Sequence, residues 1–331
     1  MAVNLKGRSF LSLQDFSPLE IRYMLDLSKD LKQKKRMGIK GTALETKNVV
    51  LIFDKSSTRT RCAFEVAALE EGAHVTFLTN SQLQVKESLE DSAKVLGRFY
   101  DGIEYRGFKQ SVVEKLAEHA GVPVWNGLTD TDHPTQILAD FLTIEEHLNN
   151  KLLSDVKLVF TGDTHNNMCY ALMYGAVKMG MHFVALGPKE LEPDAEILAK
   201  VQEYSKQTGA VIEFTDNVDY AMKNADAVYT DVWVSMGEKV DYAKRVKLLK
   251  PYQVNREMLD KSGNDNILFM HCLPAFHDME TEVARSHEAN GLDIREVTDE
   301  VFRSRNSVVF DEAENRLHTI KAVMVSTIGD V

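Results

Sequence analysis

Cysteine is scarce in this sequence, and what little there is lies too scattered for a disulfide framework. Cys62, Cys169 and Cys272 lie far apart and none sits in a CxxC pair. A disulfide framework is therefore excluded, and a reducing, cytoplasmic setting is the expectation. No apolar run is long enough to cross a bilayer as a helix. Residues 1–12 hold no apolar stretch followed by a small-residue cleavage site, so no secretory leader is expected. Positive charge is also short: 39 Lys and Arg face 50 Asp and Glu, a formal charge of −11. That argues against a nucleic-acid surface, which needs a basic face. It leaves room for a small anion, because a few arginines and backbone N–H groups can dominate one cleft. Glycine is missing where nucleotide binding would need it. There is no Walker-A run and no GxGxxG after the first apolar strand, and Gly162-Asp163 after a later one is too short a signal to replace them. Internal repeats and low-complexity segments are absent.

What is present is an alternation of short apolar runs with longer amphipathic ones over 331 residues. That length accommodates two packed cores, and the alternation predicts α/β layers around parallel sheets. In the first half, strands are expected at Val49–Phe53, His74–Leu78 and Val122–Val124, with a helix over Cys62–Glu71. From Pro134 to Leu148 the apolar residues Ile137, Leu138, Phe141, Leu142 and Leu148 fall at helical spacing, with Pro134 suited to the first turn. Asn149-Asn150-Lys151 then marks a boundary between domains. A second series follows: strands at Val156–Phe160, Phe183–Leu186, Val211–Phe214, Ala227–Thr230 and Ile267–Met270, and a helix over Asn166–Met179. Leu317, Ile320, Met324 and Ile328 form a final helical stripe that needs a surface to cover it. The fold class expected is thus two domains, each a mainly parallel sheet flanked by helices, with the C-terminal helix returning to the first. The divisions are 1–150 plus 312–331, and 151–311.

Chemistry enters at Asp54-Lys55-Ser56-Ser57-Thr58-Arg59-Thr60-Arg61, directly after a strand and directly before a helix. Helix N-termini carry unpaired N–H groups and a partial positive charge that attract phosphate. Ser57, Thr58 and Thr60 add hydroxyls, and Arg59 can grip phosphate bidentately. A plain capping role would explain one hydroxyl, but not three hydroxyls with two arginines.

With three further runs, the chain resembles the aspartate/ornithine carbamoyltransferase superfamily. They are His133-Pro134-Thr135-Gln136, Asp231-Val232-Trp233-Val234-Ser235-Met236-Gly237 and His271-Cys272-Leu273-Pro274, the last two being similar to the ornithine branch. The resemblance spans the chain from Leu5 to the last helix. It implies transfer of the carbamoyl group of carbamoyl phosphate to the δ-amine of L-ornithine, giving citrulline and phosphate, or the reverse in arginine catabolism. No cofactor and no metal are implied. Carbamoyl phosphate contacts are implied for Ser57, Thr58, Arg59, Thr60, Gln82, Arg106, His133, Gln136, Cys272, Leu273 and Arg316. Arg106, His133 and Thr60 are expected near the carbamoyl oxygen, where charge grows during attack, and the Gln136 oxygen near the carbamoyl NH₂. Ornithine contacts are implied for Asn167, Asp231, Ser235 and Met236. Catalytic roles fall to Arg106, His133, Asp231 and Cys272, with Cys272 or the departing phosphate as proton acceptor; the bland alternative for Cys272 is positioning alone. Cys62 and Cys169 read as helix core residues.

The resemblance also implies that Gln82 reaches into a neighbouring subunit, making the functional unit a homotrimer or an assembly of trimers. Here the sequence departs from the pattern: Leu83-Gln84-Val85 stands where ornithine enzymes carry Ile-Gly and a basic residue. A putrescine or other amine carbamoyltransferase, a carbamoyl phosphate-binding protein without activity, and an NAD-dependent oxidoreductase are the competing readings.

Overall fold

The computed structural model describes residues 3–79, 86–149, 151–234, 238 and 240–330. Two compact units emerge, 1–142 with 313–331, and 143–312. No described helix is long and apolar enough to cross a membrane.

In chain order the first unit contains α1 (Pro18–Arg36), β1 (Asn48–Phe53), α2 (Thr58–Glu70), β2 (His74–Thr79), α3 (Leu89–Phe99), β3 (Gly102–Arg106), α4 (Gln110–Ala120), β4 (Val124–Leu128) and the first turns of α5 (Pro134–His147). The strands form one parallel sheet in the order β2-β1-β3-β4. Val50, Ile52, Ile103, Tyr105 and Val124 from three of the strands pack with Leu89, Ala93, Val113 and Leu116 from α3 and α4. Beyond short apolar runs, β3 was not visible in the sequence, because Gly-Ile-Glu-Tyr-Arg puts a glutamate at its centre. Glu104 is nonetheless fully buried. The strand expected at Val122–Val124 begins instead at Val124 and runs on to Leu128.

The second unit continues with β5 (Lys157–Thr161), α6 (Asn167–Lys178), β6 (His182–Leu186), α7 (Ala195–Thr208), β7 (Val211–Thr215), α8 (Val218–Met222), β8 (Ala227–Thr230), α9 (Tyr242–Leu249), α10 (Arg256–Asp260), β9 (Leu268–Met270), α11 (Glu282–Glu288), α12 (Asp299–Phe302) and the start of α13 (Val309–Ile328). Its sheet is parallel in the order β7-β6-β5-β8-β9. The two-sheet α/β class expected from the sequence holds.

The apolar stripe of α13 is covered within the first unit. Trp125 donates its indole N–H to Thr327 at 3.0 Å, Lys321 pairs with Glu70 at 2.7 Å, and Lys32 donates to Asn315 at 2.7 Å. Each polar link satisfies a group that the packing has buried, which is what lets so polar a helix sit in a core.

In both sheets the strand order reverses direction at one place: between β1 and β3 in the first, between β5 and β8 in the second. In open α/β sheets such a switch point leaves a crevice at the carboxyl ends of the strands. The motif residues follow those strand ends.

Candidate active site

The first crevice is lined by the segment after β1 and the end of β3. Register pairs Phe53 with Arg106, so the turn into α2 and Arg106 leave the sheet side by side. Ser57 caps α2, accepting from the Thr60 N–H at 3.3 Å; capping and anion binding share this residue. Thr58 is exposed, Ser57 and Arg59 are half-buried, and Thr60 is buried. Arg61 turns away: it pairs with Glu65 at 3.2 Å and lies 3.5 Å over the Phe77 ring. Only one of the two arginines that made the motif conspicuous is therefore left for the crevice. Cys62 is exposed, contrary to its reading as a core residue, while Cys169 is buried as expected.

Thr60 is the node of this half. Its hydroxyl oxygen accepts from Arg106 Nη1 at 3.3 Å and from Arg316 Nη2 at 3.0 Å. Arg316, on α13 and buried, also donates from Nη1 to Gln136 Oε1 at 2.7 Å and from Nη2 to Thr135 Oγ1 at 3.4 Å. Gln136 Nε2 in turn donates to the buried Asp140 at 2.9 Å. The Gln136 oxygen expected to face a carbamoyl NH₂ is thus already accepting from Arg316. Asp140 was not foreseen; its place four residues after Gln136 on the same helical face is the signal that could have found it.

His133 is buried at the start of α5, and its Nδ1 has no hydrogen-bond partner among the described residues. Burial holds its pKa well below 6.5, assisted by the charges of Arg316, Arg106 and Arg59. Its imidazole is therefore neutral at pH 7 and retains one N–H to donate.

The second crevice gathers residues from β5, β8 and β9. Gly162 ends β5 at φ +121°, a conformation that side chains disfavour, and lets the chain turn into α6. Asn166 caps α6, accepting from the Cys169 N–H at 2.9 Å, and Asn167 is the first helical residue, half-buried. Asp231 follows β8. Its Oδ1 accepts from the Val232 N–H at 2.8 Å and from Cys272 Sγ at 3.3 Å, and Asn166 Nδ2 reaches Oδ2 at 3.4 Å. Burial raises the Asp231 pKa, against the pull of the hydrogen bonds from the Val232 N–H and Cys272. Arg245 on α9 bridges Asp163 at 2.8 Å and Glu238 at 2.6 Å. Gln82, Ser235 and Met236 lie outside the described residues.

Among the described residues, two groups bring three possible metal-ligand atoms within 4.8 Å of one another: Asp231, His271 and Cys272, and His277, Asp278 and Asp299. Neither suits a cation as it stands. Both ring nitrogens of His271 are committed, to Leu273 N and to Glu296. Arg303 already supplies a positive charge to Asp278 and Asp299.

Comparison with known proteins decides the family. The carbamoyl-P binding domain model of aspartate/ornithine carbamoyltransferase matches residues 8–146, and its Asp/Orn binding domain model matches residues 154–327. The chain belongs to the aspartate/ornithine carbamoyltransferase family. It is 74% identical to a catabolic ornithine carbamoyltransferase of Clostridium perfringens, over 99% of this chain and all of that one. It is 54% identical to a catabolic ornithine carbamoyltransferase of Bacillus licheniformis, over 99% of this chain and 98% of that one. Among solved structures it is similar to ornithine carbamoyltransferase from Pyrococcus furiosus, with a TM-score of 0.90 and 39% identity over 99% of both chains. Thr60, Arg106, His133 and Gln136 fall in the segment matched by the carbamoyl-P model, and Asp231 and Arg316 in the segment matched by the Asp/Orn model.

Proposed function

We propose that this protein transfers the carbamoyl group of carbamoyl phosphate to the δ-amine of L-ornithine, yielding L-citrulline and phosphate. The observation that carries the reading is the convergence of Arg106 and Arg316 on Thr60 beside a neutral His133. It supplies fixed positive charge for a phosphate and an uncharged donor for a carbonyl oxygen. In our reading the phosphate docks at the N-terminus of α2 on Ser57, Thr58, Arg59 and Thr60, with Arg106 and Arg316 neutralising it, on residues 1–150 and 312–331. Arg106 and the His133 N–H stabilise the oxyanion as the amine adds, in a site that needs no reorganisation at that moment. Gln136, the Leu273 carbonyl and Cys272 complete the carbamoyl contacts, with Gln82.

Residues 151–311 take the acceptor: Asp231 binds the α-ammonium by a charge-assisted hydrogen bond, and Asn167, Ser235 and Met236 hold the rest of the head group. The δ-amine has an intrinsic pKa near ~10 and attacks only once neutral. Cys272 donates its S–H to Asp231 at 3.3 Å, and a thiolate there would set two negative charges against each other. We therefore assign Cys272 to positioning and the amine proton to the departing phosphate. The catabolic names of the relatives at 74% and 54% identity support running the reaction from citrulline towards carbamoyl phosphate in the cell. We also propose a cytoplasmic enzyme active as a homotrimer or an assembly of trimers, through Gln82.

The test is a colorimetric citrulline assay with purified protein, carbamoyl phosphate and, in parallel, ornithine, putrescine or aspartate. Citrulline formation that falls by at least a hundredfold in Arg106→Gln supports the reading. Carbamoylation of putrescine or aspartate without citrulline would overturn it.

A further inference from the structure

We propose that His271 and Glu296 form a buried positioning pair that sets the Cys272-Leu273 turn for carbamoyl transfer. The inference rests on the function proposed above, since that reading is what gives Cys272 and Leu273 their place at the substrate.

The turn needs enforcement. Leu273 sits at φ +57°, in the left-handed region that a branched aliphatic residue adopts only at a cost of order 1 kcal/mol or more. Hydrogen bonds hold it. The His271 N–H donates to Glu312 Oε2 at 3.0 Å, and Tyr229 fixes that carboxylate from its other oxygen at 3.1 Å. The Leu273 N–H donates to His271 Nδ1 at 2.8 Å. Since Nδ1 accepts, the ring is neutral and its proton resides on Nε2. That Nε2–H donates to Glu296 Oε1 at 3.0 Å, and the same oxygen accepts from the Phe276 N–H at 2.7 Å. One carboxyl oxygen thereby grips both ends of His271–Phe276, and Cys272 and Leu273, which the proposed function places at substrate, lie between.

Glu296 is itself fixed by the chain. Its carbonyl accepts from the Val254 N–H at 2.9 Å, within a short bridge that pairs Val254 with Val297. His271 and Glu296 are both fully buried. Filling such a space with apolar side chains commonly costs no stability. What an apolar pair cannot do is select one imidazole tautomer and aim it at the Leu273 N–H. Neither residue touches substrate in this reading; both act through the turn. Glu296 Oε2 has no hydrogen-bond partner among the described residues, and burial pushes the Glu296 pKa up to about 8. At pH 7 the group is thus a neutral acid, and glutamine is its close mimic.

Steady-state kinetics on the full-length protein test this with Glu296→Gln, Glu296→Leu and His271→Gln, each normalised to folded protein by circular dichroism. E296Q keeps the acceptor and should stay within about threefold of wild type. E296L should lower kcat by 10- to 100-fold and raise the KM for carbamoyl phosphate at least fivefold. H271Q keeps a donor to Glu296 but leaves the Leu273 N–H unpaired; it should raise the same KM while folding normally, which covers the case in which E296L does not fold. A purely structural role would lower the folded fraction and leave both KM values unchanged. The proposal is overturned if H271Q has wild-type KM values, or if E296Q is as impaired as E296L. Wild-type protein that makes no citrulline would instead refute the function and leave this pair unassigned.

Discussion

Glu296 makes stability depend on pH in a direction opposite to that of an ordinary paired carboxylate. Its pKa stands at about 8 in the folded protein because burial penalises the charged form, against about 4.3 for an exposed glutamate. Between those two values the unfolded chain has released a proton that the folded chain still holds, so stability falls as pH rises. Each pH unit in that window costs about 1.4 kcal/mol, and the loss levels off above about pH 8. From pH 6 to pH 9 the wild type should lose about 2.5 kcal/mol relative to Glu296→Gln, in which no proton is exchanged. For a unit of this size that is roughly 5–10 °C in midpoint. Differential scanning calorimetry of both proteins at half-unit pH steps, following the transition assigned to the second unit, reads the difference directly. Other buried carboxyls titrate in both proteins and cancel. Midpoints that fall in parallel from pH 6 to pH 9 would show that Glu296 is already ionised at neutral pH, and the tautomer argument for His271 would lose its neutral partner.

Three further outcomes follow from the geometry. Thr60→Val removes the oxygen on which Arg106 and Arg316 converge while keeping the shape of the side chain; losing hydrogen bonds to charged groups is worth about 1.5–3 kcal/mol, so kcat/KM for carbamoyl phosphate should fall about 10- to 100-fold, and an unchanged value in the citrulline assay would remove Thr60 from the site. Arg245→Ala leaves the nearly buried Asp163 carboxylate without its cation; urea unfolding should show a loss of about 3 kcal/mol, and adding Asp163→Asn should recover more than half of it. Gly102→Ala would place a Cβ 2.2 Å from the buried Trp125 ring, so the first unit should lose about 1–3 kcal/mol by overpacking, and thermal midpoints equal to wild type would mean that the ring yields freely.

The sheets were legible because their strands are apolar runs and their helices keep a 3.6-residue period. Both signals are local, and burial on one or two faces writes them directly. The segment around Thr60 was legible for a related reason: a strand, a polar turn and a helix N-terminus are contiguous in the chain, whereas Arg106, Gln136 and Arg316 came only from the family resemblance. What the residues alone did not reveal is the partners supplied from a distance. Glu296 stands in Asp293-Ile294-Arg295-Glu296-Val297, which reads as a charged surface run, yet the Val254–Val297 bridge turns its side chain inward under His271. Glu104 concealed β3 for the same reason: a charged residue at the centre of a five-residue strand breaks the apolar pattern that identifies strands. Arg61 shows the opposite error. By composition it belonged to the phosphate motif, but helical geometry carries it one position round from Thr60, where Glu65 and the Phe77 ring receive it. Spacing within a motif ranks residue types; the helix decides which of them face the crevice.

Each unit opens its sheet at a switch point, and the two crevices are furnished with opposite chemistry. The first sets guanidinium groups around a threonine hydroxyl in a chain whose net charge is −11. A local cluster of fixed cations can do this because the charges nearest a ligand outweigh those that solvent screens at a distance. The cluster also governs the histidine beside it. Burial and three arginines keep His133 uncharged, so in our reading its N–H serves the carbamoyl oxygen without adding a fourth cation to the cluster. The second crevice presents a carboxylate fixed by the Val232 N–H and the Cys272 thiol, which suits an ammonium and repels phosphate. In our reading, charge draws the anionic donor to one sheet and the α-ammonium of the acceptor to the other. What our proposal leaves to the strained Leu273 turn is orientation, which the polar pair beneath it sets without adding another charge.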